Sequence, residues 1–187
     1  MMNRRSSRSA EHCIGLAAAA LALSLLYSAD LSAECRLGNE NPWITPTAAA
    51  IQFDARDDGT VVHNPSRLVW QRCALGQTWS GSDCNGTPLT MSWDEALNAA
   101  ETHIQDGRDD WRLPNRNELV SILEFRCFLP TVDNLVFPNA PSGAHWTSSP
   151  VSDAVDESWI VDFDDGLTEP ASTAGLFKVR LVRGGWD

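Results

Sequence analysis

Hydrophobic and polar positions follow two kinds of pattern along this chain. Residues 159–163 (WIVDF) alternate, with Trp159, Val161 and Phe163 on one face and Ile160 and Asp162 on the other. Residues 177–183 (FKVRLVR) alternate in the same way and turn Phe177, Val179 and Leu181 inward. A period of two marks a half-buried strand. Two shorter β-rich runs, residues 60–63 (TVVH) and 68–72 (LVWQR), flank Asn64-Pro65-Ser66. They predict a hairpin with Trp70 as its core anchor. Residues 145–149 (HWTSS) predict a strand that stops at Pro150.

Helical spacing occurs twice. Trp93, Ala96, Leu97, Ala100 and Ile104 share one face of a helix that opens at Ser92 and ends at Asp106-Gly107. Leu119, Ile122, Leu123 and Arg126 share one face of a second helix, which starts after Pro114 and ends by Pro130. Each start carries a capping box, Ser92 with Glu95 and Asn115 with Glu118. In such a box, cap and carboxylate satisfy each other's backbone amides.

The second start belongs to residues 110–119 (DWRLPNRNEL), around which the rest is organised. Trp111 and Leu113 form an apolar, strand-like step. Pro114 then breaks it, because proline lacks an N–H and biases its predecessor away from helix. A guanidinium beside a buried tryptophan must find acceptors. Arg112 and Arg183 are therefore read as structural partners of carboxylates or helix-end carbonyls, with Glu118 in the same motif. Trp70, Trp93, Trp111, Leu113, Pro114, Trp146 and Trp159 complete the expected scaffold. Seven of the eight tryptophans lie between Trp43 and Trp159, which predicts a core heavy in aromatics. A hairpin, two helices and then several strands with long loops make an α+β chain. The last strand should pair back beside the first hairpin.

Composition adds the compartment. Arg4, Arg5 and Arg8 precede an apolar run, residues 13–26, that is short for a membrane span. Leu31-Ser32-Ala33 follows, so residues 1–33 read as a signal peptide cut after Ala33, with a cut after Ala29 as the alternative. No membrane insertion is expected once it is removed. Glu34 separates the small residues from Cys35, which argues against lipid attachment there. The first 33 residues carry three arginines and two acids. That leaves 11 basic and 23 acidic residues, a net −12. Such a charge excludes nucleic acid as a partner unless basic residues are segregated. Residues 34–50, rich in Pro, Asn and Ala, read as an arm or linker, and residues 51–185 as the domain.

Four cysteines remain after the signal, an even number in an exported chain, and they allow three connectivities. Cys73 and Cys84 bound a short polar loop and are paired here, which gives Cys35 to Cys127. A zinc site is the alternative, but no CxxC spacing exists. Residues 74–89 form a stapled surface loop that carries Trp79. Residues 129–143 are irregular around a buried Phe137. Residues 151–158 are an acidic loop, and Asp164-Asp165-Gly166 is a turn.

Taken in order, seven segments carry a family resemblance: DGTVVHNPSRLVWQRC (58–73), LTMSWDEALNAA (89–100), DWRLPNRNEL (110–119), FPNAP (137–141), HWTSS (145–149), WIVDFDDG (159–166) and VRLVR (179–183). Over residues 53–183 the chain resembles the C-terminal domain of the collagen-like adhesin Lcl, also catalogued as a bacterial domain of unknown function. It departs from the family's hairpin loop at residues 63–68 (HNPSRL). The resemblance implies a C-type-lectin-like fold, with two helices on a mixed, mostly antiparallel sheet under long loops. It also implies secretion or surface display, in a periplasm or outside the cell. The adhesin domain is trimeric and binds glycosaminoglycans; the acidic charge here opposes that activity, and no collagen-like region is present.

A non-catalytic recognition module is therefore expected, with a glycan or a surface protein as ligand and an assembly subunit as the alternative. In the second case residues 34–50 would dock on a partner. The expected ligand-binding residues are Trp79, His145, Ser148, Asp162, Asp164, Asp165 and Glu169. Such acids lie in loops where lectin-like domains hold calcium, so Ca²⁺ is the one candidate cofactor. Catalysis is not expected. No Gly-x-Ser-x-Gly elbow is present, and no cysteine follows Cys127 to form a paired copper site.

Overall fold

Thr60–His63 is a run that should bury one face, yet all four residues are buried. The reason is visible in the computed structural model, which describes residues 34–36 and 38–184. The expected signal peptide lies outside the described residues. Strands β1 (Phe53–Ala55), β2 (Thr60–His63), β3 (Val69–Gln71) and β11 (Val182–Arg183) form an antiparallel sheet in that order. Cores cover both of its faces. Val61, Trp70 and Val182 pack in one core with Leu119, Ile122, Phe137 and Phe163. Val62, Val69 and Leu181 pack in the other with Trp111, Leu113, Trp146 and Ala96. Successive side chains of a strand point to opposite faces, so each strand feeds both cores. The last strand pairs with the hairpin as expected, Val182 opposite Trp70.

A second sheet has the order β6 (Thr90–Met91), β10 (Phe177–Lys178), β7 (Ala144–Pro150), β8 (Glu157–Asp162), β9 (Thr168–Ser172). Its β10–β7 pair is parallel and the rest antiparallel. β4 (Thr78–Trp79) and β5 (Cys84–Asn85) make a small hairpin inside the stapled loop. With α1 (Trp93–Glu101) and α2 (Arg116–Val120) this is an α+β fold. The strands divide among three sheets, where a single mixed sheet was expected. Both expected disulfides are present, Cys35–Cys127 and Cys73–Cys84.

Four local expectations are corrected. Ile104 falls beyond α1 and is 69% exposed. The helix stops because Thr102 hydrogen-bonds back to Asn98, and residues 105–108 then close a tight turn. α2 is only five residues long, although Leu119, Ile122 and Leu123 are buried as expected. β8 buries Ile160 as well as Val161, since a core lies on each side. The closing run is two strands, one in each sheet. Arg180 sits at the crossing, fully buried, and donates to the carbonyls of Gln71 and Arg72 over the face of Phe137. Burial pushes its pKa down to about 9.

Residues 34–50 are not a free arm. Cys35 is bonded to Cys127, and Glu40 pairs with Arg126. The wholly buried Glu124 accepts from the amides of Thr47, Ala48 and Arg126. Asp133 accepts from the amide of Ala50. Burial pushes the Asp133 carboxyl up against the pull of the Leu135 and Ala50 amides. The segment is therefore fastened to its own domain, with Trp43 left 92% exposed.

The stretch 110–119 knits the parts together. Trp111 and Leu113 enter one core and Leu119 the other. Arg112 exchanges backbone hydrogen bonds with Val182. Its guanidinium makes two 2.8 Å bonds to Glu118, which also accepts the Asn115 amide. Burial raises the Glu118 carboxyl, but the Arg112 hydrogen bonds, the Asn115 amide and the Arg112 charge together bring it below the usual range. Arg183 lies 3.6 Å from Asp110 and over the Trp111 ring.

Two outcomes follow from these carboxylates. Glu124→Ala should cost at least about 3 kcal/mol in denaturant unfolding, because three amides lose their acceptor. Hydrogen exchange at Thr47 and Ala48 should accelerate together, and a loss under about 1 kcal/mol would contradict the latch. Glu118→Gln should cost about 1–3 kcal/mol at neutral pH. A depressed carboxyl stabilises above its unfolded pKa, and that stability is lost as pH falls through the folded value. The wild-type advantage over Glu118→Gln should therefore shrink on acidification, as read from unfolding curves across pH.

Candidate functional site

The break at Pro114 and the short helix after it force three polar residues, Asn115, Arg116 and Asn117, to the surface in succession. The end of β7 runs beside them. The Ser148 amide donates to the Pro114 carbonyl, and the Arg116 amide donates to the Ser149 hydroxyl at 3.0 Å. Trp159 projects from the neighbouring strand β8. Together with Pro150, Val151 and Ser152 these residues line a groove of about 500 Å³. Its chemistry is side-chain amide, hydroxyl, one guanidinium and one aromatic ring. The Arg116 guanidinium lies over the Trp159 ring, 4.4 Å from its centroid. Cation–π contact of this kind holds a guanidinium flat.

Asn115 also borders a second groove of about 540 Å³. Its floor is Leu97, Ala100, Trp111 and Leu113, and its rim holds Glu101, Ser148 and the Arg112–Glu118 pair. A third groove, about 350 Å³, lies beneath the stapled loop. There the Gln71 amide contacts His103 and donates to Gln105. Trp79 forms one wall, with its ring over Gly59, where a Cβ would come within 2.7 Å of the indole. The Trp79 indole donates to the Asp57 carbonyl, and Arg72 covers its face. The indole is thus used to fasten the loop to the body.

The residues expected to bind ligand do not converge. Trp79 lines the third groove and Ser148 the second, and the first holds none of them. His145 is a correction. It is wholly buried, with its ring stacked on Phe163 at 4.0 Å and its Nδ1 2.9 Å from the Gly143 carbonyl. It cannot touch a surface ligand. The carbonyl fixes the proton on Nδ1, and burial, helped by the charge of Arg180, keeps the ring neutral far below its usual pKa. A polar strand between two covering layers explains the error: β7 buries His145, Trp146 and Thr147 in succession.

The acidic residues serve turns. Asp162 accepts the Asp164 amide, Asp164 the Gly143 amide and Asp165 the Leu167 amide, at 2.8, 2.8 and 2.9 Å. Glu169 is exposed on β9. Among the described residues no three His, Cys, Asp or Glu side chains are arranged to hold a metal. Calcium takes six to eight oxygens, and this donor set does not fit it.

The scaffold tryptophans divide. Trp70 and Trp146 are wholly buried, Trp111 nearly so, while Trp93 and Trp159 are half-buried. Trp146 and Trp93 donate to the carbonyls of Met91 and Thr147. Trp159 was expected in the scaffold and instead supports the groove wall. Arg116, Asn117 and Ser152 carried no functional expectation. The sequence signal for the first two is a run of polar residues at a helix start with an arginine among them, and Ser152 has none.

Comparison with curated proteins gives no match. The family model of the Lcl C-terminal domain matches residues 59–183, from the turn before β2 through β11 and including every residue of the first groove. The chain therefore belongs to the Lcl C-terminal domain family.

Proposed function

We propose that this chain is an exported, non-catalytic recognition module of C-type-lectin-like architecture that binds carbohydrate in the groove between α2 and the end of β7. The two disulfides are consistent with export. The observation that carries the reading is the Arg116–Trp159 shelf with Asn115, Asn117, Ser149 and Ser152 around it. Sugars present hydroxyls that both donate and accept. Side-chain amides and hydroxyls do the same. Nothing in the groove resembles a nucleophile with its base: it contains no histidine, cysteine or carboxylate.

Recognition by this groove needs no metal. The residues are held by the α2 start and by β7, both rigid parts of the scaffold, so the groove is preformed. The test is a glycan panel read with the oxidised protein, with and without chelator. At least one glycan class should bind in both conditions. The Asn117→Ala/Ser152→Ala double variant should lose about tenfold or more in affinity while unfolding normally. A panel with no hit would overturn the reading, as would a variant that binds every glycan like the wild type.

A further inference from the structure

We infer, resting on the carbohydrate reading above, that the glycan taken by this groove bears a carboxylate and that Arg116 is the residue that binds it. Six arginines among the described residues are wholly or partly buried: Arg72, Arg112, Arg116, Arg126, Arg180 and Arg183. Five of them meet oxygen. Arg72 and Arg180 donate to backbone carbonyls, and Arg112, Arg126 and Arg183 face carboxylates. Arg116 has no oxygen acceptor for its guanidinium among the described residues. It is stacked on Trp159 at the wall of an open groove.

This matters in a chain with 25 acidic residues against 14 basic ones. Carboxylates are plentiful, yet none lines the groove. The indole fixes the plane of the guanidinium and leaves its N–H edge free. That edge matches a carboxylate with two parallel hydrogen bonds. The amides of Asn115, Arg116 and Glu118 are already held by Glu118, Ser149 and Asn115. The positive charge offered to an anion here is that of the Arg116 side chain. Asn117 and Ser152 make no side-chain hydrogen bond among the described residues and are placed to take sugar hydroxyls. One cation suits one carboxylate. A densely sulfated polymer would meet the net −11 of the chain, the acids Asp153 and Asp156 on the adjoining loop and Glu157 at the start of β8.

The experiment pairs each carboxylated glycan of the panel, glucuronate, galacturonate and sialate types, with its methyl ester. The ester keeps the ring and hydroxyls and removes the charge. The acid should bind at least about tenfold tighter than its ester. Arg116→Gln should remove that difference by lowering acid affinity to about that of the ester, with a cooperative unfolding transition retained. Equal binding of acid and ester, or hits confined to neutral glycans, would overturn the carboxylate inference and leave the carbohydrate reading standing. No hit of any kind would sink both. Binding of dextran sulfate or of a carboxylate-terminated peptide, with no carboxylated glycan bound, would overturn it. So would an acid preference that survives in Arg116→Gln.

Discussion

One carboxylate ties the parts of this domain to one another. Glu118 accepts both terminal nitrogens of Arg112 and the amide of Asn115. Through Arg112 it reaches β11, because that residue bridges to Val182 and its guanidinium also meets the Gly184 carbonyl. Through Asn115 it sets the start of α2, and with it the entry of Leu119 into one core. Trp111 and Leu113, just before the break, enter the other core. A half-buried ion pair with bidentate geometry and a third hydrogen bond is the arrangement in which desolvation is offset. Loss of the Glu118 charge would leave a guanidinium, an amide and a chain reversal without their common partner.

Two cores instead of one follow from the burial of both sheet faces. A strand in that position cannot keep a polar side, so β2 places Val61 in one core and Val62 in the other. The closing chain must then leave one sheet and join the next, and where it crosses, carbonyls of β3 lose a strand partner. Arg180 supplies the donors. Its guanidinium caps the Gln71 and Arg72 carbonyls, and its flat face lies against Phe137. Both bonds come from one terminal nitrogen, so what a lysine there would lack is the flat face that lies against Phe137.

Sequence legibility follows the range of the interaction. The capping boxes at Ser92 and Asn115 span three residues and were readable. So was the Cys73–Cys84 staple, with its eleven-residue separation. The pairing of β11 with the hairpin was readable because alternation and chain order restrict topology. His145 was not. Its neighbours Thr147, Ser148 and Ser149 are polar, and only the tertiary cover of Phe163 shows that His145 is buried. The packing of residues 34–50 was equally hidden, since Glu124 and Asp133 bind backbone amides, which leave no mark on the residue pattern. The groove escaped for a third reason. Arg116, Ser149 and Trp159 are distant in sequence and meet only when α2, β7 and β8 come together.

Residues 110–119 therefore build the scaffold and also one wall of the proposed binding groove. The Glu118–Asn115 box fixes the backbone of α2, and the Arg116 amide is further pinned by Ser149. Its guanidinium lies on Trp159. A long side chain usually loses rotamer freedom when it binds, at a cost of about 0.5–1.5 kcal/mol per immobilised residue. For Arg116 most of that ordering is complete before any ligand arrives. The hydrogen bonds that make the stretch a scaffold also make its exposed edge a rigid one. The same ten residues then supply the scaffold and one wall of the groove proposed to bind sugar, with Trp111, Leu113 and Leu119 inward and Asn115, Arg116 and Asn117 outward.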